Sequence, residues 1–190
     1  MARVVVCPGD ITSVSCDAVV NAANRRLQPG GGVDGAIHRA AGPELARELR
    51  LRHPHGCPTG SAVLTGGHGL PARLVVHAVG PVWKGGGEGE PELLASAYRA
   101  AFRLAAGADC RSVAAPAIST GIYGFPVDLA AAIAVREALH CPAPIDQVTL
   151  VAFDPVTQSA LERALEASTD WGPRTTCTQP GPGGSGWPAL

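Results

Sequence analysis

Apolar residues in this chain alternate between short β-branched runs and longer stretches where they recur every three or four positions. Residues 3–7 form one run, closed by Pro8-Gly9-Asp10, and 17–20 form a second; both read as buried strands. A helix is predicted over 34–41, with Ile37 and Ala41 on one face. Gly42-Pro43 breaks it, and Pro43 suits the first turn of a further helix reaching about residue 51. Proline and glycine make 53–60 a loop. Residues 61–65 and 74–79 read as two strands joined by the glycine-rich 66–69, and 84–91 as a flexible loop. Leu94, Tyr98, Ala101 and Ala105 fall on one stripe of a helix over 92–106. A strand at 112–115, a helix at 128–139 that Asp128 caps, and a strand at 147–153 follow. Asp154 then caps a helix to about 167, with Pro155 in its first position, where a missing N–H costs nothing.

Alternating strands and helices predict an α/β fold of three layers, α/β/α. Its central mixed sheet is mostly parallel and has helices on both faces. Ligands of such sheets sit outside the carboxyl ends of the strands. One domain is expected over 1–170. Over 171–190 the composition shifts to Gly, Pro, Ser and Thr, which reads as a disordered C-terminal tail.

Composition narrows the partners. Fifteen Lys+Arg against 16 Asp+Glu give a net charge of −1, so there is no electrostatic footprint for duplex nucleic acid or an acidic membrane. No apolar run reaches the ~18 residues of a membrane span. Hydrophobic residues make up 46% and aromatics 4%, so the core must be aliphatic. The six cysteines are scattered with no C-x-x-C, and no secretion signal opens the chain. Free thiols in a cytoplasmic protein are the simplest expectation.

The chemistry concentrates in VVNAANRRLQPGGGVDGAIHRAAG, residues 19–42. A strand end feeds two amides, Asn21 and Asn24, then the glycines Gly30, Gly31 and Gly32, then a helix carrying Asp34 and His38. A strand, a glycine-rich loop and a helix start make an anion site from backbone N–H groups and the helix dipole. Asn24 and Asp34 flank that loop and suit hydrogen bonding to sugar hydroxyls or a water. His38, one turn after Asp34, shares its face. A second glycine-bearing loop, STGIYG, follows the strand at 112–115.

This stretch resembles the signature of macrodomains of the MacroD type. So do, in order, Gly9-Asp10-Ile11-Thr12, Cys57-Pro58-Thr59-Gly60, the run VHAVGPVW at 76–83, and PAISTGIYGFP at 116–126. The resemblance runs from about residue 3 to 165. It implies the macrodomain fold, recognition of ADP-ribose, and hydrolysis of ADP-ribose esters without a cofactor or metal. The substrates so implied are O-acetyl-ADP-ribose and proteins mono-ADP-ribosylated on acidic side chains.

Roles follow residue by residue from the resemblance. Asp10, with Ile11 alongside, would read the adenine amino group, and Phe153 would stack on the base. The second loop would cradle the diphosphate, with the backbone N–H groups of Ser119, Gly121, Ile122, Tyr123 and Gly124 pointing inward; Gly31, Gly32, Val33 and Thr120 are further substrate-binding positions, and Phe125 would pack on the distal ribose. Asn24 would hold ribose hydroxyls, Asp34 would orient or polarise a water, and His38 would orient Asp34. A phosphate oxygen of the substrate is the alternative base.

Plainer roles compete with each of these. They are a turn or cap for Asp10, Asn24 and Asp34, a structural place for His38, and core packing for Phe125 and Phe153. His53, His55 and Cys57 lack zinc spacing and a fourth ligand, so a loop is expected there rather than a metal site. Where the family often shows four glycines before Val-Asp, Pro29 takes the first place and removes an N–H donor, which bears on rate more than on fold. The alternative function is a reader that binds ADP-ribose without turning it over. A nicotinamide oxidoreductase ranks below both, since no G-x-G-x-x-G follows the first strand.

Overall fold

The computed structural model describes residues 2–168, so the tail expected over 171–190 lies outside the described residues. In chain order the elements are β1 (Arg3–Pro8), a 3-10 turn (Ile11–Ser13), β2 (Ala18–Ala22), α1 (Gly32–Ala41), α2 (Pro43–Arg52) and β3 (Ala62–Gly66). Then come β4 (Leu74–Ala78), α3 (Glu90–Gly107), β5 (Ser112–Pro116), α4 (Val127–Leu139), β6 (Gln147–Ala152) and α5 (Pro155–Glu166). The strands form one sheet in the order β1-β6-β5-β2-β4-β3. Every pairing is parallel except β3 with β4.

Period-2 alternation sends the strands' side chains into two cores. Ala18, Val20, Val76, Ala78, Val113, Ala115, Val148 and Leu150 pack under α3, α4 and α5, against Tyr98, Phe102, Ala134 and Leu161. Val19, Val75, Val79, Ala114 and Val151 face the other way, under Ile37 and Ala41 of α1 and Leu45 and Leu49 of α2. Both faces are covered, which is why the strands read as nearly continuous apolar runs. The connection after β2 leads toward β4 and β3, and the one after β5 leads toward β6. The strand order therefore diverges between the neighbours β2 and β5, and crevices form at such a point.

Side-chain ties hold the frame around that point. Asp17, just before β2, accepts from the amides of Arg111 (2.8 Å) and Ser112 (2.9 Å) and from the Ser112 hydroxyl (3.0 Å), joining the starts of β2 and β5. At the other end of β5 the buried Tyr98 hydroxyl donates to the Pro116 carbonyl (2.7 Å) and accepts from the Ile118 amide (3.0 Å).

Some boundaries differ from the sequence expectation. Helix α1 begins at Gly32, so Asp34 lies within its first turn and is not its cap. The loop expected to be flexible before α3 is tied by the buried Glu90 carboxylate, which accepts from the amides of Lys84 and Gly86 (both 3.0 Å) and Glu88 (2.7 Å). Helix α4 starts at Val127, so Asp128 does not cap it and instead pairs with Arg163 at 2.6 Å. Asp154 does cap α5, accepting from the Thr157 amide at 2.8 Å. Cys16, Cys57, Cys110 and Cys141 are free thiols. Among the described residues no helix is long and apolar enough to cross a membrane.

Candidate active site

Strand β2 delivers Asn21 into the sheet and then releases the chain at Ala22. Asn24 fixes the turn that follows: its Nδ2 donates to the Gln28 carbonyl (2.6 Å), and its Oδ1 accepts from the amides of Arg26 (3.1 Å) and Gln28 (3.3 Å). The chain then runs through the glycines into α1. A Cβ on Gly30 would lie 3.0 Å from Asp34 Oδ2 and 3.5 Å from Asn24 Nδ2, so a bare backbone lets both side chains converge there. A Cβ on Gly35 would press to 2.6 Å from the Gly30 carbonyl, so α1 and the loop need a second glycine to pack.

The Asp34 carboxylate is 5% exposed and held from two sides. Its Oδ2 accepts from the Gly30 amide at 2.6 Å, and its Oδ1 accepts from Asn21 Nδ2 at 2.6 Å. The first contact resembles a capping box displaced by one residue: an acid in the first turn reaches back to an amide ahead of the helix. His38 Nε2 stands 3.6 Å from Asp34 Oδ1, an ion-pair distance only when the ring is charged. Burial lowers the His38 pKa, and the neighbouring Asp34 charge opposes that shift in part.

The second loop leaves β5 at Pro116. Ser119 sits at φ +69°, a left-handed conformation unusual for serine, and its hydroxyl is buried without a partner. A Cβ on Gly80 would stand 2.3 Å from that hydroxyl, so only glycine there leaves room for the loop. Among the described residues, the amides of Ser119, Thr120, Gly121, Ile122 and Tyr123 donate to no protein acceptor, nor do those of Gly31, Gly32 and Val33. The Gly124 amide departs from the expected inward role and donates to the Gly121 carbonyl at 3.0 Å, closing the turn. Two rows of residues with unused N–H groups, Thr120 excepted, thus line one crevice, one row at the N-terminus of α1, where the helix dipole adds positive potential.

That crevice has a volume of about 290 Å³. Asn24, Gly30 to Asp34, Gly80, Ser119 and Gly121 to Tyr123 line it, so most of the expected site residues are brought together. The 82%-exposed Ile122 reaches across, with its Cδ1 3.1 Å from where a Gly31 Cβ would stand. Phe125 is not in the lining. It is buried with its ring 4.7 Å from that of Trp83, tilted by 60°, and forms part of the floor under the loop. His38 is likewise behind the lining. Asp10 caps the 3-10 turn through Thr12, whose amide and hydroxyl lie 2.9 and 2.8 Å away, and Ile11 is buried in the core. Asp10 and Phe153 follow the paired ends of β1 and β6, where the Gly9 amide donates to the Ala152 carbonyl at 2.9 Å. Phe153 is 57% exposed there, and neither it nor Asp10 nor Ile11 is in the lining of the crevice.

The loop with His53, His55 and Cys57 supports the first glycine loop: the Cys57 amide donates to the Arg25 carbonyl at 2.9 Å. Among the described residues no group of three or more His, Cys, Asp or Glu is placed to hold a metal. Sequence reasoning gave no role to Gly80, which makes room for the second loop, and named Gly30 without seeing that its missing Cβ leaves room for the Asp34 carboxylate. It also gave no role to Asn21 and none to His77, which lies 3.1 Å from it. The available signal was a polar residue at an inward position of a run otherwise apolar on both faces.

Three comparisons bear on these features. The family model described as Macro domain matches residues 20–134. A macro domain-containing protein of Mesorhizobium japonicum is 52% identical over 168 residues, spanning 87% of this chain and 94% of its own. The O-acetyl-ADP-ribose deacetylase of Escherichia coli K12 is 50% identical over 173 residues, spanning 88% and 98%. Among solved structures, the Trypanosoma brucei macrodomain in complex with ADP-ribose superposes with a TM-score of 0.78 at 39% identity, covering 85% of this chain and 68% of that one.

Proposed function

The chain belongs to the macrodomain family, and from that membership and the geometry of its cleft we propose that it binds ADP-ribose and hydrolyses its esters. The substrates are O-acetyl-ADP-ribose and mono-ADP-ribose esterified to acidic protein side chains. The unused amides of the two loops hold the diphosphate. Phe153 and Asp10 take the adenine end, with the ring stacking on the base and the carboxylate accepting from its amino group. Asn24 and Asp34 meet the distal ribose.

The carrying observation is the seat of Asp34. A carboxylate that only capped a helix would have no need of a buried amide on one oxygen and a backbone N–H on the other. Held this way on the cleft wall, it orients a water against the ester carbonyl. The water oxygen bonds to that carbon, the tetrahedral adduct collapses, and the ribose oxygen leaves with a proton, giving the free acid and ADP-ribose. The proton taken from water goes to Asp34 or to a phosphate oxygen of the substrate. The same seat favours the enzyme over a reader, which needs no fixed carboxylate at the ribose.

Two measurements test this reading. Titration calorimetry should show ADP-ribose binding with GDP-ribose weaker, since guanine offers an acceptor where Asp10 needs a donor. Incubation with O-acetyl-ADP-ribose, and with a protein mono-ADP-ribosylated on glutamate, should release ADP-ribose by mass. Tight binding with no turnover of either substrate would establish the reader instead.

A further inference from the structure

Behind Asp34 lies a line of buried polar side chains that no step above uses. Asn21 of β2 and His77 of β4 are register partners on adjacent parallel strands, and both are fully buried. Asn21 Nδ2 is 3.1 Å from His77 Nδ1, and His77 Nε2 is 2.9 Å from the hydroxyl of the buried Thr65 on β3. The Thr65 hydroxyl in turn lies 3.2 Å from the Gly66 carbonyl. The line therefore crosses three neighbouring strands and ends on a carboxylate oxygen in the cleft wall.

Only one arrangement of protons gives each contact in this line one donor and one acceptor, and it leaves the buried Asn21 Oδ1 without a partner among the described residues. Asp34 Oδ1 accepts, so the amide nitrogen of Asn21 must point at it; the flipped amide would set oxygen against carboxylate. The other N–H on that nitrogen then points at His77 Nδ1, which must be a bare acceptor. The ring proton is thereby forced onto Nε2 and donates to Thr65, and the Thr65 hydroxyl donates to the Gly66 carbonyl. Asn21 thus donates both ways, to Asp34 and to His77, and from His77 onward each donor faces an acceptor back to the strand.

We propose that His77, held as the neutral Nε2–H tautomer between Asn21 and Thr65, is a positioning residue that acts through Asn21 to fix the Asp34 carboxylate for ester hydrolysis. This deepens the proposed function and rests on it. A cationic ring would turn an Nδ1–H against the Asn21 amide and break the line. Burial, with His38 and His53 nearby, pushes the His77 pKa down to about 3, and Glu48 opposes this weakly, so the ring stays neutral wherever the fold survives. Strand register sets the span of the line, so the carboxylate is anchored to the sheet rather than to the loop alone.

The experiment compares the parent with Thr65→Val, which keeps the shape and removes the acceptor, and with His77→Phe and His77→Gln. Nitrogen NMR of the parent should show a bare Nδ1 and a protonated Nε2 on one neutral imidazole. Thr65→Val should lower kcat for O-acetyl-ADP-ribose about 3- to 10-fold and His77→Phe about 10- to 100-fold, with KM and ADP-ribose affinity within about twofold. His77→Gln, which can present an oxygen to Asn21 and an N–H to Thr65, should recover part of the loss. The carbon signal of the Asp34 carboxyl should shift in Thr65→Val. A ring protonated on Nδ1 in the parent would overturn the proposal. So would folded Thr65→Val and His77→Phe proteins that turn over like the parent, or losses in which kcat, KM and melting temperature move together. If the parent itself turns over nothing, the functional reading fails, and the ring-nitrogen and Asp34 carboxyl signals alone judge the line.

Discussion

At the scale of single residues, the site depends on what glycine leaves empty. Gly30 → Ala is conformationally permitted, since Gly30 is not among the residues at positive φ, yet its Cβ would stand 3.0 Å from Asp34 Oδ2. The carboxylate must then shift by a few tenths of an ångström or more. Turnover should fall roughly 10- to 100-fold, the scale on which small misplacements act. Binding of ADP-ribose and melting temperature should change little, and unchanged single-turnover rates would mean that the rate does not depend on the place of the Asp34 carboxylate at this scale. Asp34, Asn24 and the glycines were legible in the sequence because they lie within one motif. Asn21 and His77 were not, because their contact joins positions 56 residues apart and exists only through strand register. For Phe125 the sequence left a ribose contact and core packing side by side, and the structure shows it buried against Trp83.

At the scale of elements, helix α3 steadies the second loop through one hydroxyl. Tyr98 → Phe would leave the buried Pro116 carbonyl and Ile118 amide without their partner, which costs about 1–3 kcal/mol. Thermal unfolding should show that loss, and calorimetry should show weaker ADP-ribose binding, since the loop whose amides face the crevice begins at this tie. A variant that melts lower but binds as before would confine Tyr98 to packing. Strand and helix existence was readable from period and from proline and glycine, whereas ends were set by longer-range bonds. Glu90 begins α3 ahead of the predicted start because three preceding amides converge on its carboxylate. Glycine rather than Asp34 opens α1 because the carboxylate is engaged behind it. Such preferences are invisible to local patterning.

At the scale of the whole molecule, three hydrogen-bonded or buried groups shape how stability depends on pH. Amides, those of Ser112 and Arg111 foremost, hold Asp17 below its ordinary 3.8. Glu90's own amide and those of Lys84, Gly86 and Glu88 hold it below 4.5. Burial holds His77 below 6.5, at about 3. In all three the folded state binds fewer protons than the unfolded chain, so their contribution is complete above the unfolded values and is lost as pH falls through the folded ones. Melting temperature should be level from pH ~7 to ~8, decline below that through the histidine range, and drop further once the carboxylates protonate. His77→Gln should flatten the first part of that decline, and an unaltered slope would remove His77 as its source. The layered fold itself was legible from alternating strands and helices, and the crevice from two glycine loops that each follow a strand. Which strands neighbour each other, and hence what stands behind Asp34, was not.

The central claim is that one cleft both binds ADP-ribose and performs chemistry at Asp34. The most direct measurement is turnover of O-acetyl-ADP-ribose and calorimetric binding of ADP-ribose on the same preparations of the parent and Asp34→Ala, with circular dichroism to show that both are folded. The account predicts a rate lower by roughly 10² or more, the scale of lost acid–base or water-orienting help. Affinity should change by no more than about tenfold, near 1.4 kcal/mol. A folded Asp34→Ala that hydrolyses the ester as fast as the parent would contradict it.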